Sequence, residues 1–187
     1  MACGWAIDPR RNRGGNMWPM LAVVGPILGD GDVGAFVDAA GKKTGWSVEQ
    51  GSPRVDGAPM GWGASSPIGK GSAPVAVLTG ASTGSSGEAV TVAFRGRPDT
   101  RSFGAATSGV PTGNAPHHLS DGALLNLTEF EDADRTGRAY DGPIPPDQVV
   151  VHHLGRARKS DPVLDAATEW LSGQPACAEP NPDVTEP

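Results

Sequence analysis

The residues best placed to do chemistry lie where an apolar run stops. Pro74 to Thr79 is β-branched and apolar, as expected for a strand buried on both faces. A turn, Gly80 to Gly84, follows, and Ser85 opens an expected helix, Ser85 to Arg95, that Gly96 ends. Strand, turn and helix in that order put the turn at the carboxyl edge of a sheet, where open α/β sheets take their ligands. A helix N-terminus offers unpaired backbone N–H groups and a partial positive charge. A serine hydroxyl there can attack a carbonyl while neighbouring amides hold the developing oxyanion. The same residues have a purely structural use. Ser85-Ser86-Gly87-Glu88 is S-x-x-E, a capping box, and on residue pattern alone that is the commoner explanation. A second serine competes: Gly80-Ala81-Ser82-Thr83-Gly84 is G-x-S-x-G, the nucleophile-elbow pattern, although 27 glycines make chance matches easy.

The elements that must position these residues follow from the rest of the chain. Trp5 to Pro9 reads as a short strand, and Arg10 to Asn16 as a glycine-containing turn. Asn16 caps a helix over Met17 to Leu28, with Pro19 in its first turn. Val33 to Asp38 and Thr44 to Glu49 read as strands about the Gly41-Lys42-Lys43 turn. Gly51 to Ala73 reads as loop, as does the stretch ending at Pro116, with strands at Arg101 to Gly104, Ala123 to Leu127 and Gln148 to His152. Tyr140 to Pro146 is expected as an exposed turn, and Asp161 caps a helix running to Leu171. Twice, from Trp5 and from Pro74, the order is strand–helix–strand. The fold class is therefore α/β, a small mixed sheet with βαβ crossovers and covering helices. Residues 1–172 form one domain, and 173–187, polar and proline-rich, form a disordered tail.

Composition narrows the partners. A net charge of −6 argues against a nucleic-acid binder, and Arg10, Arg11 and Arg13 read as a solvated cluster. No apolar stretch is long enough for a membrane span, and no signal peptide opens the chain, so the expected location is cytoplasmic. Cys3 and Cys177 make no disulfide framework; they bridge only if the chain ends meet. No Cys, His or carboxylate spacing supports a metal, and no cofactor is expected. His117-His118 and His152-His153 read as surface or edge residues. Core packing accounts for Trp18 and Trp170, which leaves Trp62 as a candidate substrate contact.

Five segments, in order, resemble those of the tail-specific (C-terminal processing) serine peptidases. Asp8-Pro9-Arg10-Arg11-Asn12-Arg13-Gly14-Gly15-Asn16 is similar to their D-L-R-x-N-x-G-G, and Pro74 to Glu88 to their strand and S-x-S-x-E or S-S-G-E turn. Phe103 to Gly109 resembles their x-G-x-x-T-x-G. Leu119 to Gly122 and Asp141 to Asp147 resemble their closing segments. The resemblance implies a ClpP/crotonase-like core and a peptide or protein substrate. It makes Ser85, three before Glu88, the nucleophile, with oxyanion amides from Gly14 or Gly15 and from Ser86.

The departures are as informative. One branch of the family takes a lysine base from T-x-G-K, where this chain has Thr107-Ser108-Gly109-Val110. The only lysine after Ser85 is Lys159. The tricorn-core-like branch uses a histidine oriented by an acid, which falls on Asp141, and that histidine lies upstream of the D-L-R strand. The chain is therefore expected to be the C-terminal part of a longer peptidase, inactive or weakly active alone, and its apolar surface suits homo-oligomerisation. Two other functions remain open: a non-catalytic binding module on the same fold, and an esterase using Ser82.

Overall fold

The computed structural model describes residues 2–61, 71–151 and 161–178. Two sheets share the chain. The first is parallel, in the order β1 (Trp5–Ile7), β6 (Val75–Thr79), β7 (Thr100–Gly104), β11 (Gln148–Val149). The second is antiparallel. It runs β10 (Ala139–Tyr140), β9 (Leu124–Asp134), β2 (Gly31–Asp38), β3 (Lys43–Glu49), β4 (Ser52–Val55), β5 (Ala58–Pro59), with β8 (Thr112–His118) also paired to β9.

Helices α1 (Met17–Leu28) and α2 (Ser86–Phe94) lie between the sheets, and α3 (Pro162–Ser172) covers the outer face of the parallel sheet. The alternation of β6 builds both layers. Val75 and Val77 join Leu21, Ile27, Trp46, Val92 and Phe94 in the larger core. Ala76 and Leu78 meet Phe103, Val163 and Ala167 on the other side. Every residue of β6 is buried, as its apolar run Val75 to Leu78 requires, and Thr79 ends it with Oγ1 donating to Ala105 O.

The caps form as their residues dictate. Asn16 Oδ1 accepts from Trp18 N, and Asp161 Oδ1 from Val163 N and Leu164 N. β6–α2–β7 is the expected βαβ unit. The first one is not: β2, after α1, joins the antiparallel sheet, and the strand beside β1 is β6. Part of the expected 51–73 loop is strand. Gln50-Gly51 and Asp56-Gly57, all with positive φ, are two-residue hairpin turns joining β3 to β4 and β4 to β5. β8 takes up much of the expected loop before Pro116, and β9 runs on to Asp134. The expected turn at 140–146 is not wholly exposed, since Tyr140 and Ile144 are buried.

Residues 173–178, in the expected tail, form turns in which Cys177 N and Ala178 N both donate to Gln174 O, and Cys177 forms a disulfide with Cys3 across a Cα–Cα distance of 5.0 Å. Arg10 is no free surface charge. It bridges Asp8 and Asp161, each at 2.7 Å, and its guanidinium holds the Asp161 carboxyl down at about 2. The chain's first turn is thereby tied to the cap of α3.

Candidate active site

Two turns meet at the carboxyl edge of β1 and β6. The first, residues 9–16, folds on itself: Asn12 N donates to Pro9 O, and Gly14 N to Asn12 Oδ1 at 3.0 Å. The second, residues 80–86, is laced to it. Gly84 N donates to Asn12 O at 2.9 Å, Thr83 Oγ1 to Pro9 O at 3.1 Å, and Ser86 Oγ to Gly15 O at 2.6 Å. Contact is close enough to demand glycine. A Cβ on Gly14, whose φ is +115°, would lie 2.8 Å from Ser85 Cβ, and one on Gly87 only 2.4 Å from Asn12 O.

Ser85 sits between β6 and α2 with φ 50° and ψ −120°, a strained conformation for a residue with a side chain. That is the sharp strand-to-helix turn of a nucleophile elbow. The sequence pattern had offered this turn to Ser82. Ser82 instead is exposed in a separate cleft with Arg11, Arg13 and Val150. Ser85 and Glu88 form a capping-box pair, held by the bond from backbone to carboxylate. Glu88 Oε2 accepts from Ser85 N at 2.8 Å, while the Ser85 hydroxyl makes no cap bond. The hydroxyl is left available.

Glu88 is fully buried and does more than cap. It also accepts from Gly109 N (2.8 Å), Val110 N (3.0 Å) and Ser108 Oγ (3.3 Å), fastening the 105–111 loop behind the serine. Val110, where one branch of the family carries lysine, is itself about half exposed.

Ser85 opens into a cleft of about 290 Å³ with Gly15, Met17, Trp18, Phe36, Ser86, Ala89, Asn114, Asn126 and Asp132. Of the expected oxyanion amides, Gly14 N is taken by Asn12. Among the described residues the N–H groups of Gly15 and Ser86 have no partner, and both residues line the cleft. The expected acid, Asp141, is exposed in a neighbouring cleft with Val37, Asp38 and Glu131; the two clefts share Thr112. His117 pairs with Glu129 on the β8–β9 hairpin, and His118 lies at the end of β8. Trp62, His152, His153 and Lys159 lie outside the described residues.

Three site residues escaped the sequence. Asn12 braces the first turn, and Trp18, assigned to core packing, walls the cleft. Asp132 is 1% exposed, and neither carboxylate oxygen has a hydrogen-bond partner among the described residues. Burial, helped by the charge of Glu88, raises its carboxyl to about 7. Among the described residues of the lining it is the sole ionisable side chain. The one available signal was that strand alternation through Phe130-Glu131-Asp132-Ala133-Asp134 puts Asp132 and Asp134 on one face and Glu131 on the other.

Known proteins share this architecture. The chain is 31% identical over 172 residues to the nisin-resistance protein of Lactococcus lactis subsp. lactis, covering 91% of this chain and 50% of that protein. The solved structure of a lipoprotein from Streptococcus agalactiae matches at 31% identity with a TM-score of 0.69, over 91% of this chain and 54% of that one. The chain thus spans about half the length of these relatives. The photosystem II D1 C-terminal processing protease shares the fold at 23% identity, with a TM-score of 0.61, over 79% of this chain and 34% of that one. The family model for peptidase family S41 matches residues 1–150, and the chain belongs to that family.

Proposed function

We propose that this chain is the nucleophile-bearing core of a serine peptidase, hydrolysing peptide bonds through an acyl-enzyme on Ser85. One observation carries this reading. Among the described residues no hydrogen bond holds the Ser85 hydroxyl, which stands on a strained strand–helix junction beside the unpartnered amides of Gly15 and Ser86. Ser85 Oγ attacks the peptide carbonyl, and those two amides receive the oxyanion. A serine hydroxyl needs a base, and the described residues bring no imidazole or amine into the cleft. The base is supplied from elsewhere, with Asp141 as the acid the family pattern assigns to orient it.

A fluorophosphonate probe tests this directly. Labelling at Ser85, lost in Ser85→Ala and kept in Ser82→Ala, supports the peptidase. Labelling that follows Ser82 supports an esterase. Tight peptide binding with no labelling, even in a longer protein that supplies the base, supports a binding module, which the lack of a base among the described residues of the cleft favours as the second reading. Nisin belongs among the test substrates, since the L. lactis relative is named for resistance to it. The Cys3–Cys177 disulfide supports a working location more oxidising than the expected cytoplasm.

A further inference from the structure

The peptidase reading gives Asp132 no role, yet its placement is costly. Its backbone is already satisfied, with Asp132 N donating to Pro111 O at 2.9 Å. Its side chain stands directly across the sheet from Phe36, on the same face. Phe36 in turn packs edge-on against Trp18 and Trp46. A buried carboxylate opposite an aromatic ring, with no hydrogen-bond partner among the described residues, is strongly disfavoured unless something pairs with it. Glu88, also buried, shows the contrast, with four donors of its own. Glu88 is also the charge that acts on Asp132, and its sign is the same. No cation offsets the pair among the residues lining the cleft.

We propose that Asp132 is the specificity-determining residue of the Ser85 cleft, where it receives the cationic side chain, lysine or arginine, of the residue whose carbonyl Ser85 attacks. The inference rests on the peptidase reading and names its substrate class. The cleft suits such a side chain in three ways. Its volume, about 290 Å³, lies near the lower end for ligand sites, enough for one side chain rather than a larger molecule. Met17, Trp18, Phe36 and Ala89 offer apolar walls to an aliphatic stem, and an aromatic face suits a guanidinium. Both carboxylate oxygens are buried and without a partner among the described residues, so a side chain that reaches them from the cleft can satisfy them with both donors of an arginine fork or two of an ammonium.

The test reads binding rather than turnover, so it does not depend on a complete catalytic set. Product-type peptides differing only in their C-terminal residue (Lys, Arg, Leu or Glu) are titrated against the chain by calorimetry at pH 8. We expect Lys and Arg to bind at least tenfold more tightly than Leu, with Glu weakest. Asp132→Asn should abolish that ratio while leaving the Leu peptide within about threefold, and Ser85→Ala should preserve it. The wild-type chain gives a second measurement: at pH 5.5, with Asp132 protonated, the Lys-to-Leu ratio should collapse. Equal affinities at pH 8, or a ratio that survives Asp132→Asn, overturn the proposal. So does loss of fluorophosphonate labelling in Asp132→Asn with the ratio intact, which would make Asp132 a group acting on Ser85. Labelling of Ser85 without any cation preference sinks this inference and leaves the peptidase reading standing. A preference dependent on Asp132 with no labelling of Ser85, even in a longer protein that supplies the base, supports the cation site and overturns the peptidase reading.

Discussion

Gly14 and Ser85 touch across two turns that are remote in sequence, so closely that a methyl group on Gly14 would lie 2.8 Å from Ser85 Cβ and 3.2 Å from its hydroxyl. Neither the backbone, at φ +115°, nor the neighbour accommodates a side chain. Gly14→Ala should therefore displace the serine. We expect a stability loss of about 1–3 kcal/mol from the strained φ and the clash, and at least a tenfold slower fluorophosphonate reaction at Ser85. Gly15→Ala is the control, since a Cβ there meets nothing nearer than Met20 Cε at 3.8 Å. It pays only for its φ of +119°. Equal labelling rates in wild type and Gly14→Ala would show that the double-glycine turn does not position the nucleophile.

Glu88 yields the second prediction. Its carboxylate satisfies the amides of Ser85, Gly109 and Val110 from a fully buried position. Glu88→Ala leaves these donors without their acceptor, at about 1–3 kcal/mol for each that water does not reach. We expect about 3 kcal/mol or more of destabilisation by urea unfolding, and loss of Ser85 labelling below the unfolding midpoint. Glu88→Gln keeps an acceptor oxygen and should fall between the two. If Glu88→Ala unfolds like wild type, the carboxylate is not what fastens the 105–111 loop to α2.

How far the sequence spoke depended on whether a signal was local. The apolar run of β6, the Asn16 and Asp161 caps and the span of α1 are set by neighbouring residues, and they stand as expected. Asp56-Gly57 was also local, a two-residue hairpin signal inside a stretch whose Gly, Ser and Pro content masked it. The sheet that β2 joins was not local, because β1 finds its partner only after β6 has been made. Within the candidate site, the strand–helix junction that carries Ser85 was legible from the residues, while its candidacy as nucleophile came from the family resemblance and not from its spacing to Glu88, which alone favours a cap. Asp132 was not legible. Its meaning depends on Phe36 opposite and α2 above, contacts that no pattern within Glu129 to Asp134 encodes.

The Cys3–Cys177 disulfide joins the approach to β1 to the turns after α3, closing a loop of 174 residues. Chain-entropy reasoning gives such a loop about 5 kcal/mol, and measured values more often fall at 2–4 kcal/mol. Reductant should lower the urea midpoint of the wild type by an amount in that range and leave a Cys3→Ser/Cys177→Ser double variant unmoved. The effect should centre on the outer layer, where α3 rests on Phe103 and Leu78. Identical midpoints with and without reductant would mean that the chain ends stay docked without the bond.

Asp132 makes stability depend on pH in the opposite sense to most carboxylates. Its carboxyl is raised from 3.8 to about 7 in the folded chain, chiefly by burial. Between those values the folded state holds a proton that the unfolded chain has released. Stability is therefore highest below about pH 4 as far as this group is concerned, and falls as pH rises towards 7. The shift corresponds to about 4 kcal/mol at neutral pH, at roughly 1.4 kcal/mol per unit. Asp132→Asn, neutral throughout, should be the more stable protein at pH 7.5, and the difference should shrink as pH approaches 4. Urea unfolding of both proteins at pH 4.5, 6 and 7.5 measures it. A variant less stable than wild type at pH 7.5 would mean that the carboxylate has found a partner in solution and that the cleft is not waiting for a cation. A variant more stable than wild type at pH 7.5, together with loss of the lysine preference, would show that the chain gives up stability at this position for substrate recognition.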